Sequence, residues 1–238
     1  GLPAIPVLRD AGFSLRRGAA LGVIGESGSG KSTLARVIAG LLPAASGDVL
    51  LDGERLPRSM AERSREQLRR VQIVFQHADT ALNPSQSVAE ILARPLAFYH
   101  GTKGPAAMSR VAELLDLTRL PRDIAKRRSS DLSGGQKQRV NLARALAANP
   151  DVLICDEVTS ALDTVVAAAI LDLIDNLRRD LGIATIFISH DISTARAFCD
   201  DLMVLYGGSV VELASRARFS DGVHQPYTRL LMDSVPDM

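Results

Sequence analysis

The chain has little aromatic character and almost no cysteine. Among its 238 residues there is no tryptophan, aromatic residues make up 4%, and the two cysteines are Cys155 and Cys199. Cys155 lies in an apolar, strand-like segment and Cys199 lies in a helical one. Two isolated cysteines favour buried thiols in a reducing compartment over a disulfide or a metal site.

The chain also lacks a surplus of positive or negative charge, and it lacks long apolar runs. Lys and Arg total 28 against 27 Asp and Glu, so there is no electrostatic footprint for nucleic acid. No apolar run approaches the roughly 18 residues of a membrane span, and no signal peptide is visible. The expectation is a soluble cytoplasmic protein without a nucleic-acid partner. If it serves a membrane, it binds at the membrane surface and does not span the bilayer.

Strand-like and helix-like segments alternate along most of the chain, a pattern typical of an α/β fold with a largely parallel sheet. Short apolar runs predict strands at 20–24, 48–51, 71–75, 152–155, 183–188 and 202–206. Helical patterns predict helices at 32–39, 134–148 and 164–181.

The segment between Gln76 and Leu132 lacks strand signals. Helices are predicted at 87–93 and 106–117, with loops at Pro95, Gly101, Gly104, Pro105 and Pro121. We therefore expect a helical sub-domain inserted into the α/β core.

A glycine-rich loop follows the first predicted strand. Residues 25–32 (GESGSGKS) match G-x-x-x-x-G-K-[ST] and precede a predicted helix, the context that a phosphate-binding loop requires. Backbone N–H groups of such a loop cradle phosphate oxygens at a helix N-terminus. Lys31 is expected to reach the β- and γ-phosphates, and Ser32 to ligate Mg²⁺. The alternative, a glycine-rich turn with a chance lysine, is disfavoured by the motifs that follow.

Acidic and polar side chains follow other apolar runs. Asp156 and Glu157 come directly after 152–155. Adjacent side chains of an extended chain point in different directions, so one carboxylate suits a metal and the other suits polarisation of an attacking water. Gln76 and His190 also stand at the ends of apolar runs, where the strand C-termini of an α/β sheet converge on a ligand. Taken singly, Gln76 and His190 are more typical of strand-end hydrogen bonders than of catalytic groups.

A second possible phosphate site lies near the middle of the chain. Ser133 precedes a helical run and is expected to be its N-cap, while Gly134 and Gly135 leave the first N–H groups of that helix uncovered. A phosphate loop and a second phosphate site on the same chain suggest that two subunits share each nucleotide. Ser133 and Gly135 of one subunit would then cap the γ-phosphate held by Lys31 of the other. An ordinary capped helix remains the alternative from these residues alone.

In order and spacing, these segments resemble the nucleotide-binding subunit of ABC transporters over nearly the whole chain. The resemblance identifies Glu157 as the catalytic glutamate and His190 as the switch histidine. It also assigns the Walker A loop, the Q-loop, the signature motif, the Walker B strand and the D-loop to residues 25–33, Gln76, 132–136, 152–156 and 160–163.

The resemblance implies a P-loop NTPase (RecA-like) α/β core at 1–76 and 137–238, with the helical sub-domain and signature motif at 77–136. It implies ATP and Mg²⁺ as cofactors. Catalytic roles are implied for Lys31, Gln76, Glu157 and His190, and metal ligation for Ser32, Gln76 and Asp156. Nucleotide contacts are implied for Gly25, Glu26, Ser27, Gly28, Ser29, Gly30, Lys31, Ser32, Thr33, Ser133, Gly134, Gly135, Gln136 and Asp163.

A narrower resemblance, to the peptide and nickel importer branch, is carried by residues 76–84 (QHADTALNP) and 224–231 (HQPYTRLL). It implies uptake of peptides or related small solutes, driven by the homo- or heterodimer of ATPase domains that the shared phosphate site suggests. The implied partners are membrane permease subunits and, indirectly, a solute-binding protein. The implied location is peripheral, on the cytoplasmic face of the inner (plasma) membrane.

Two departures from the family pattern stand out. Val158 follows the glutamate where the family usually has proline. No aromatic residue precedes Phe13, which is expected in the next strand near Ser14 and Leu15, so the adenine-stacking aromatic of the family is missing. The expectation is a chain that is N-terminally truncated or half of a tandem protein. The alternatives are a non-transport ABC-type ATPase (a translation or DNA-maintenance factor) and a degenerate ATP-binding module.

Overall fold

The computed structural model describes residues 7–219 and 224–233. These residues form two compact units, of which the first contains the chain up to Glu62 and from Ala184 onward, and the second is Arg63–Ile183. Each unit contains helices together with parallel strands, which confirms the predicted α/β class. The domain boundaries expected at residues 76 and 137 stay a prediction.

The strands and helices alternate along the chain. The strands are β1 (Ala20–Ile24), β2 (Leu50–Leu51), β3 (Glu54–Arg55), β4 (Val71–Val74), β5 (Val152–Asp156), β6 (Ala184–Ser189), β7 (Asp201–Tyr206) and β8 (Ser209–Ser215). The helices are α1 (Lys31–Ile38), α2 (Arg65–Arg70), α3 (Ala78–Ala81), α4 (Val88–His100), α5 (Gly104–Leu117), α6 (Gly134–Leu146), α7 (Thr164–Leu181), α8 (Ile192–Phe198), α9 (Arg216–Phe219) and α10 (Pro226–Asp233).

In the first unit, β1 lies between two parallel neighbours. It pairs with β6 on one side and with β7 on the other, and β8 adds an antiparallel strand beyond β7. All five residues of β1 are buried, as expected for a central parallel strand that is covered on both faces. The register sets Ile24 opposite Ser189 and Val204, so the residues that follow β1, β6 and β7 emerge at one edge.

In the second unit, β4 and β5 form a parallel pair in which Val74 lies opposite Cys155. Helix α6 packs on β4 and against α4 and α5, and Val140 and Leu146 are among its buried residues. Cys155 here and Cys199 in the first unit are both buried thiols outside any disulfide, which confirms the sequence-based expectation.

Two sequence patterns predicted their elements to the residue: a continuous apolar run gave β1 at Ala20–Ile24, and a helical period gave α7 at Thr164–Leu181. The expectation of loops at Pro95, Gly104 and Pro105 was wrong. Pro95 lies inside α4, where a capping box at Ser87 and buried apolar contacts outweigh the lost backbone hydrogen bond. Pro105 occupies the first turn of α5, where a missing N–H costs nothing.

Phe13 is also not in a strand, because residues 11–16 have no regular secondary structure. Their side chains alternate between partly buried and exposed as a strand's would, but the backbone forms no ladder. Within residues 7–219 and 224–233, every helix is too short or too polar to span a membrane.

Candidate nucleotide site

The glycine-rich loop joins β1 to α1 in the first unit and is shaped by close backbone packing. Gly25 has a φ of 155°, and a β-carbon there would overlap the backbone oxygen of Leu205 in β7. Gly30 precedes α1 in the left-handed region, with a φ of 105°, and supplies no side-chain cap. The helix therefore begins without a side-chain acceptor for its first N–H groups, the arrangement that suits an anion.

Lys31 is held by the loop that it belongs to. The residue is only 5% exposed, and Nζ donates to the backbone oxygens of Gly25 at 2.6 Å and Glu26 at 2.8 Å. A buried ammonium group needs such partners because desolvation without them is costly. Carbonyl oxygens are weaker partners for an ammonium group than a phosphate anion, so these two bonds can be exchanged for bonds to a ligand.

Two further features of the loop fit a phosphate ligand. The Ser29 hydroxyl is buried and has no hydrogen-bond partner among the described residues. A buried polar atom without a partner needs an explanation, and a bound anion would accept its proton. Gly28, with a φ of 83°, faces open space, so the loop leaves room for a ligand at its tip.

His190 lies at the same edge of the first unit as the loop. It directly follows β6, whose last residue, Ser189, pairs with Ile24 immediately before Gly25. Asp191 then caps α8 by accepting from the N–H groups of Ser193 and Thr194, at 2.9 and 3.3 Å. The exposed His190 is thus fixed between a strand end and a capped helix start, next to the strand that leads into the loop.

The second unit places Gln76, Asp156 and Glu157 at the end of its parallel strand pair. Gln76 follows β4 by two residues, Asp156 ends β5, and Glu157 comes next. Asp156 is buried, with 6% of its surface exposed. Glu157 has a left-handed backbone with a φ of 52°, a conformation that costs a non-glycine residue about 1 kcal/mol or more and occurs preferentially at functional sites.

A chain of hydrogen bonds links Gln76 to the backbone of Glu157. Gln76 Nε2 donates to Ser160 Oγ at 2.7 Å, and Ser160 Oγ donates to the Glu157 backbone oxygen at 2.9 Å. The Ser160 N–H donates to the same oxygen at 3.2 Å. Ser160 therefore holds the turn that carries Glu157, a role that the sequence did not reveal beyond its membership of the D-loop.

The segments identified as signature motif and D-loop lie side by side in the second unit. Ser133 is the N-cap of α6 in a capping box with Gln136, which confirms its prediction as a cap. Asp163 caps α7 by accepting from the Val166 N–H at 3.0 Å. A β-carbon at Gly135 would lie 2.7 Å from Val166 Cγ1, so the glycine allows the two helix starts to approach closely.

No cluster of three or more His, Cys, Asp or Glu in the described part of the chain could hold a metal ion by itself. Ser32 in the first unit and Asp156 in the second each carry a hard oxygen ligand of the kind that Mg²⁺ uses together with substrate phosphates, so each side chain by itself fits this ion.

Comparison with known families identifies the chain. The family model described as ABC transporter matches residues 8–160, well over half of the sequence. The chain therefore belongs to the ABC transporter family. It is an ATP-hydrolysing enzyme with a P-loop NTPase fold, and its cofactors are ATP and Mg²⁺, as the motifs implied.

Curated relatives cover almost the whole chain. A protein of Brucella abortus strain 2308, named as a peptide import ATP-binding protein, is 44% identical over 226 residues, which are 94% of this chain and 67% of the relative. The oligopeptide transport ATP-binding protein OppF of Haemophilus influenzae is 37% identical over 234 residues, which are 98% of this chain and 70% of the relative. A relative from Brucella melitensis is longer, and the chain spans 60% of it.

Solved structures share the fold at similar identity. CbiO1 from Clostridium perfringens, described as part of an ABC transporter complex, matches with a TM-score of 0.81 and 30% identity over 90% of this chain and 84% of that one. An ATP-binding cassette in a dimeric post-hydrolysis state with ADP and phosphate matches with a TM-score of 0.77 and 29% identity over 88% and 90% of the two chains.

Proposed function

We propose that this chain is the ATP-hydrolysing subunit of an ABC importer that takes up peptides or related small solutes. Its membership of the ABC transporter family and the names of its relatives, peptide import and oligopeptide transport ATP-binding proteins, support the proposal. The same names favour an importer over a translation or DNA-maintenance factor. The intact Lys31, Asp156, Glu157 and His190 favour hydrolysis over a degenerate binding module.

The phosphate chain of ATP is bound by residues 25–33 in this proposal. Lys31 exchanges its bonds to the Gly25 and Glu26 carbonyl oxygens for bonds to the β- and γ-phosphates. Backbone N–H groups at the start of α1 and the Ser29 hydroxyl donate to phosphate oxygens. The buried Ser29 hydroxyl, which has no hydrogen-bond partner in the part of the chain that the structure describes, is the observation that supports this binding mode most directly.

Hydrolysis is assigned to side chains at strand ends. Glu157 polarises the attacking water, and His190 stabilises the γ-phosphate. Gln76 would contact the metal or the water and, through Ser160, holds the Glu157 turn in place. Ser32, Gln76 and Asp156 would hold Mg²⁺, which supplies charge neutralisation on the phosphates.

Turnover requires a dimer in this proposal. Two domains, identical or homologous, close over two Mg-ATP molecules, so that Ser133, Gly134, Gly135 and Gln136 of one face the nucleotide on the other. The N-terminus of α6, which is capped by the neutral Ser133, favours an anion there, and Asp163 caps the neighbouring helix α7. The dimeric cassettes among the structural neighbours support this arrangement.

The domain would act on the cytoplasmic face of the inner membrane. Closure would move the helical sub-domain at 77–136, and the stretch from Gln76 to Pro95 would transmit that motion to membrane permease subunits. A solute-binding protein would deliver the cargo to the permease from the other side. The neighbour described as part of an ABC transporter complex supports a permease partner.

The first test is the Glu157→Gln variant of the full-length gene product, purified with ATP from membranes. Without the carboxylate, ATP binds but is not cleaved, so the variant should form a stable ATP-dependent dimer and retain its partners. Mass spectrometry should find a pair of polytopic membrane proteins in the complex, and size-exclusion chromatography should show the dimer.

The matched control is Glu157→Gln combined with Lys31→Ala, which removes the proposed phosphate contact and should return the protein to the monomer. Ribosomal or DNA-maintenance proteins in the complex, with no membrane partner, would contradict the importer assignment. Only monomer at saturating ATP would contradict the shared site.

A further inference from the structure

A tyrosine near the C-terminal end of the described chain contacts the glycine-rich loop. The Tyr227 hydroxyl oxygen accepts a hydrogen bond from the backbone N–H of Glu26 at 3.1 Å, although the two residues are 201 positions apart. Both residues belong to the first unit. Glu26 is the second residue of the loop, and its backbone oxygen is one of the two that hold Lys31.

The segment that carries Tyr227 is anchored before α10 begins. Glu212 in β8 accepts from the Gln225 N–H at 3.1 Å and lies 2.9 Å from His224 Nδ1. The His224 side chain is 3% exposed, and its ring packs on Phe219 at a centroid distance of 4.8 Å. Burial of Glu212 raises its pKa, but hydrogen bonds such as the one from His224 outweigh this effect, so the net pKa lies below its ordinary value.

The Tyr227 ring is fixed by a second aromatic residue. It packs on Tyr206, the last residue of β7, at a centroid distance of 4.2 Å and an interplanar angle of 41°. The residue before Tyr206 is Leu205, whose backbone oxygen lies against Gly25. The backbone oxygen of Leu205 in β7 thus lies against Gly25. The hydroxyl of Tyr227, whose ring packs on the last residue of β7, contacts Glu26.

We propose that Tyr227 is a positioning residue for nucleotide binding, which holds the first peptide of the glycine-rich loop in the conformation that receives the phosphates. The peptide between Gly25 and Glu26 is held on both sides: its N–H, which is that of Glu26, by Tyr227, and its oxygen, which is that of Gly25, by Lys31. When Lys31 turns toward a phosphate, the bond to Tyr227 remains, so the loop keeps its shape. A loop that is already ordered loses less conformational entropy on binding.

This inference rests on the proposed role of residues 25–33 as the phosphate site. The test is Tyr227→Phe, which removes one oxygen atom and keeps the ring packing on Tyr206. Loss of one net hydrogen bond predicts that the Kd for Mg-ADP and the KM for ATP rise between about twofold and tenfold. The kcat should stay within about twofold, because Tyr227 touches no reacting group.

Hydrogen exchange supplies a readout that general destabilisation does not give. Amide exchange at Glu26 should become faster in Tyr227→Phe without nucleotide, while exchange in β1 and β6 stays unchanged. The matched control is Tyr206→Phe, which removes a hydroxyl from the same aromatic pair without touching the loop, and it should change neither affinity nor exchange.

Unchanged affinity and unchanged Glu26 exchange in Tyr227→Phe would overturn the inference. A lower melting temperature with unchanged affinity would also overturn it, since Tyr227 would then serve the fold alone. Lys31→Ala tests the proposed phosphate site separately from the role of Tyr227. If Lys31→Ala leaves Mg-ADP binding intact, the proposed phosphate site is wrong; if it abolishes binding while Tyr227→Phe has no effect, only the role of Tyr227 is wrong.

Discussion

The Ser160 hydroxyl offers the sharpest test of how the second unit holds Glu157. Replacing Ser160 with alanine removes the acceptor for Gln76 Nε2 and the donor to the Glu157 backbone oxygen. The backbone bond from Ser160 N–H to the same oxygen is kept, so the turn should still form. The variant therefore loosens the geometry of Glu157 without deleting any group proposed to take part in the chemistry.

The expected size follows from the two lost bonds. An intramolecular hydrogen bond contributes a net ~0.5–1.5 kcal/mol, and the exposure of Ser160 favours the lower part of that range. Together the two bonds amount to about 1–2 kcal/mol. The left-handed backbone of Glu157 is a strained conformation that these bonds help to maintain. If they act fully in the transition state, kcat should fall by about 5- to 30-fold.

Steady-state ATPase measurements decide the question, because the loss should appear in kcat while the KM for ATP stays within about twofold. Ser64→Ala is the matched control: Ser64 is another exposed serine of the same unit, and it caps α2. Losing that cap should lower the stability by about 1 kcal/mol and leave kcat unchanged.

A double-mutant cycle with Gln76→Ala then tests the link between the two side chains. The combined variant should lose less activity than the sum of the single losses predicts, because Gln76 and Ser160 act through one chain of bonds. An unchanged kcat in Ser160→Ala, or strictly additive losses in the cycle, would show that Ser160 does not hold Glu157 in place.

Two further predictions concern packing and burial. Gly135→Ala should lower the melting temperature by several degrees, because the added β-carbon would lie 2.7 Å from Val166 Cγ1. A second substitution, Val166→Ala, should restore most of the loss. Thermal unfolding of the single and double variants measures both effects. Cys155 and Cys199 should resist a thiol reagent in the folded protein and react fully in denaturant, because both are buried and burial, together with the neighbouring carboxylate, raises the pKa of Cys155 to about 12. Rapid labelling of Cys155 under native conditions would contradict the packing of β5.

Local patterns in the sequence predicted much of this fold because the physics behind them is local. Strand β1 is a continuous apolar run ahead of a glycine loop, and α7 has an N-cap at Asp163 and a glycine stop at Gly182. Helix α4 was predicted too short, because a proline is a strong local signal against a helix. Its continuation past Pro95 depends on buried contacts, which no window of sequence reveals.

The candidate site likewise contains residues that the sequence could identify and contacts that it could not. Gly25 to Thr33, Asp156 and Glu157 were identifiable because their chemistry needs fixed residue types at fixed spacing. The bond from Gln76 to Ser160 spans 84 residues, and the bond from Glu26 to Tyr227 spans 201. Such pairs follow from the tertiary fold, and neither a lone serine nor a lone tyrosine signals its partner. The tight glycine at 135 was predicted for its bare N–H groups, whereas the structure shows that it also makes room for Val166.

Lys31 has a consequence for the energetics of the proposed nucleotide site. Its Nζ already has the Gly25 and Glu26 carbonyl oxygens as partners, so a phosphate that bound there would replace existing bonds. That exchange would lower the affinity below the value expected for an ammonium group without partners. After hydrolysis the same carbonyl oxygens would accept the ammonium group again, which would favour release of ADP.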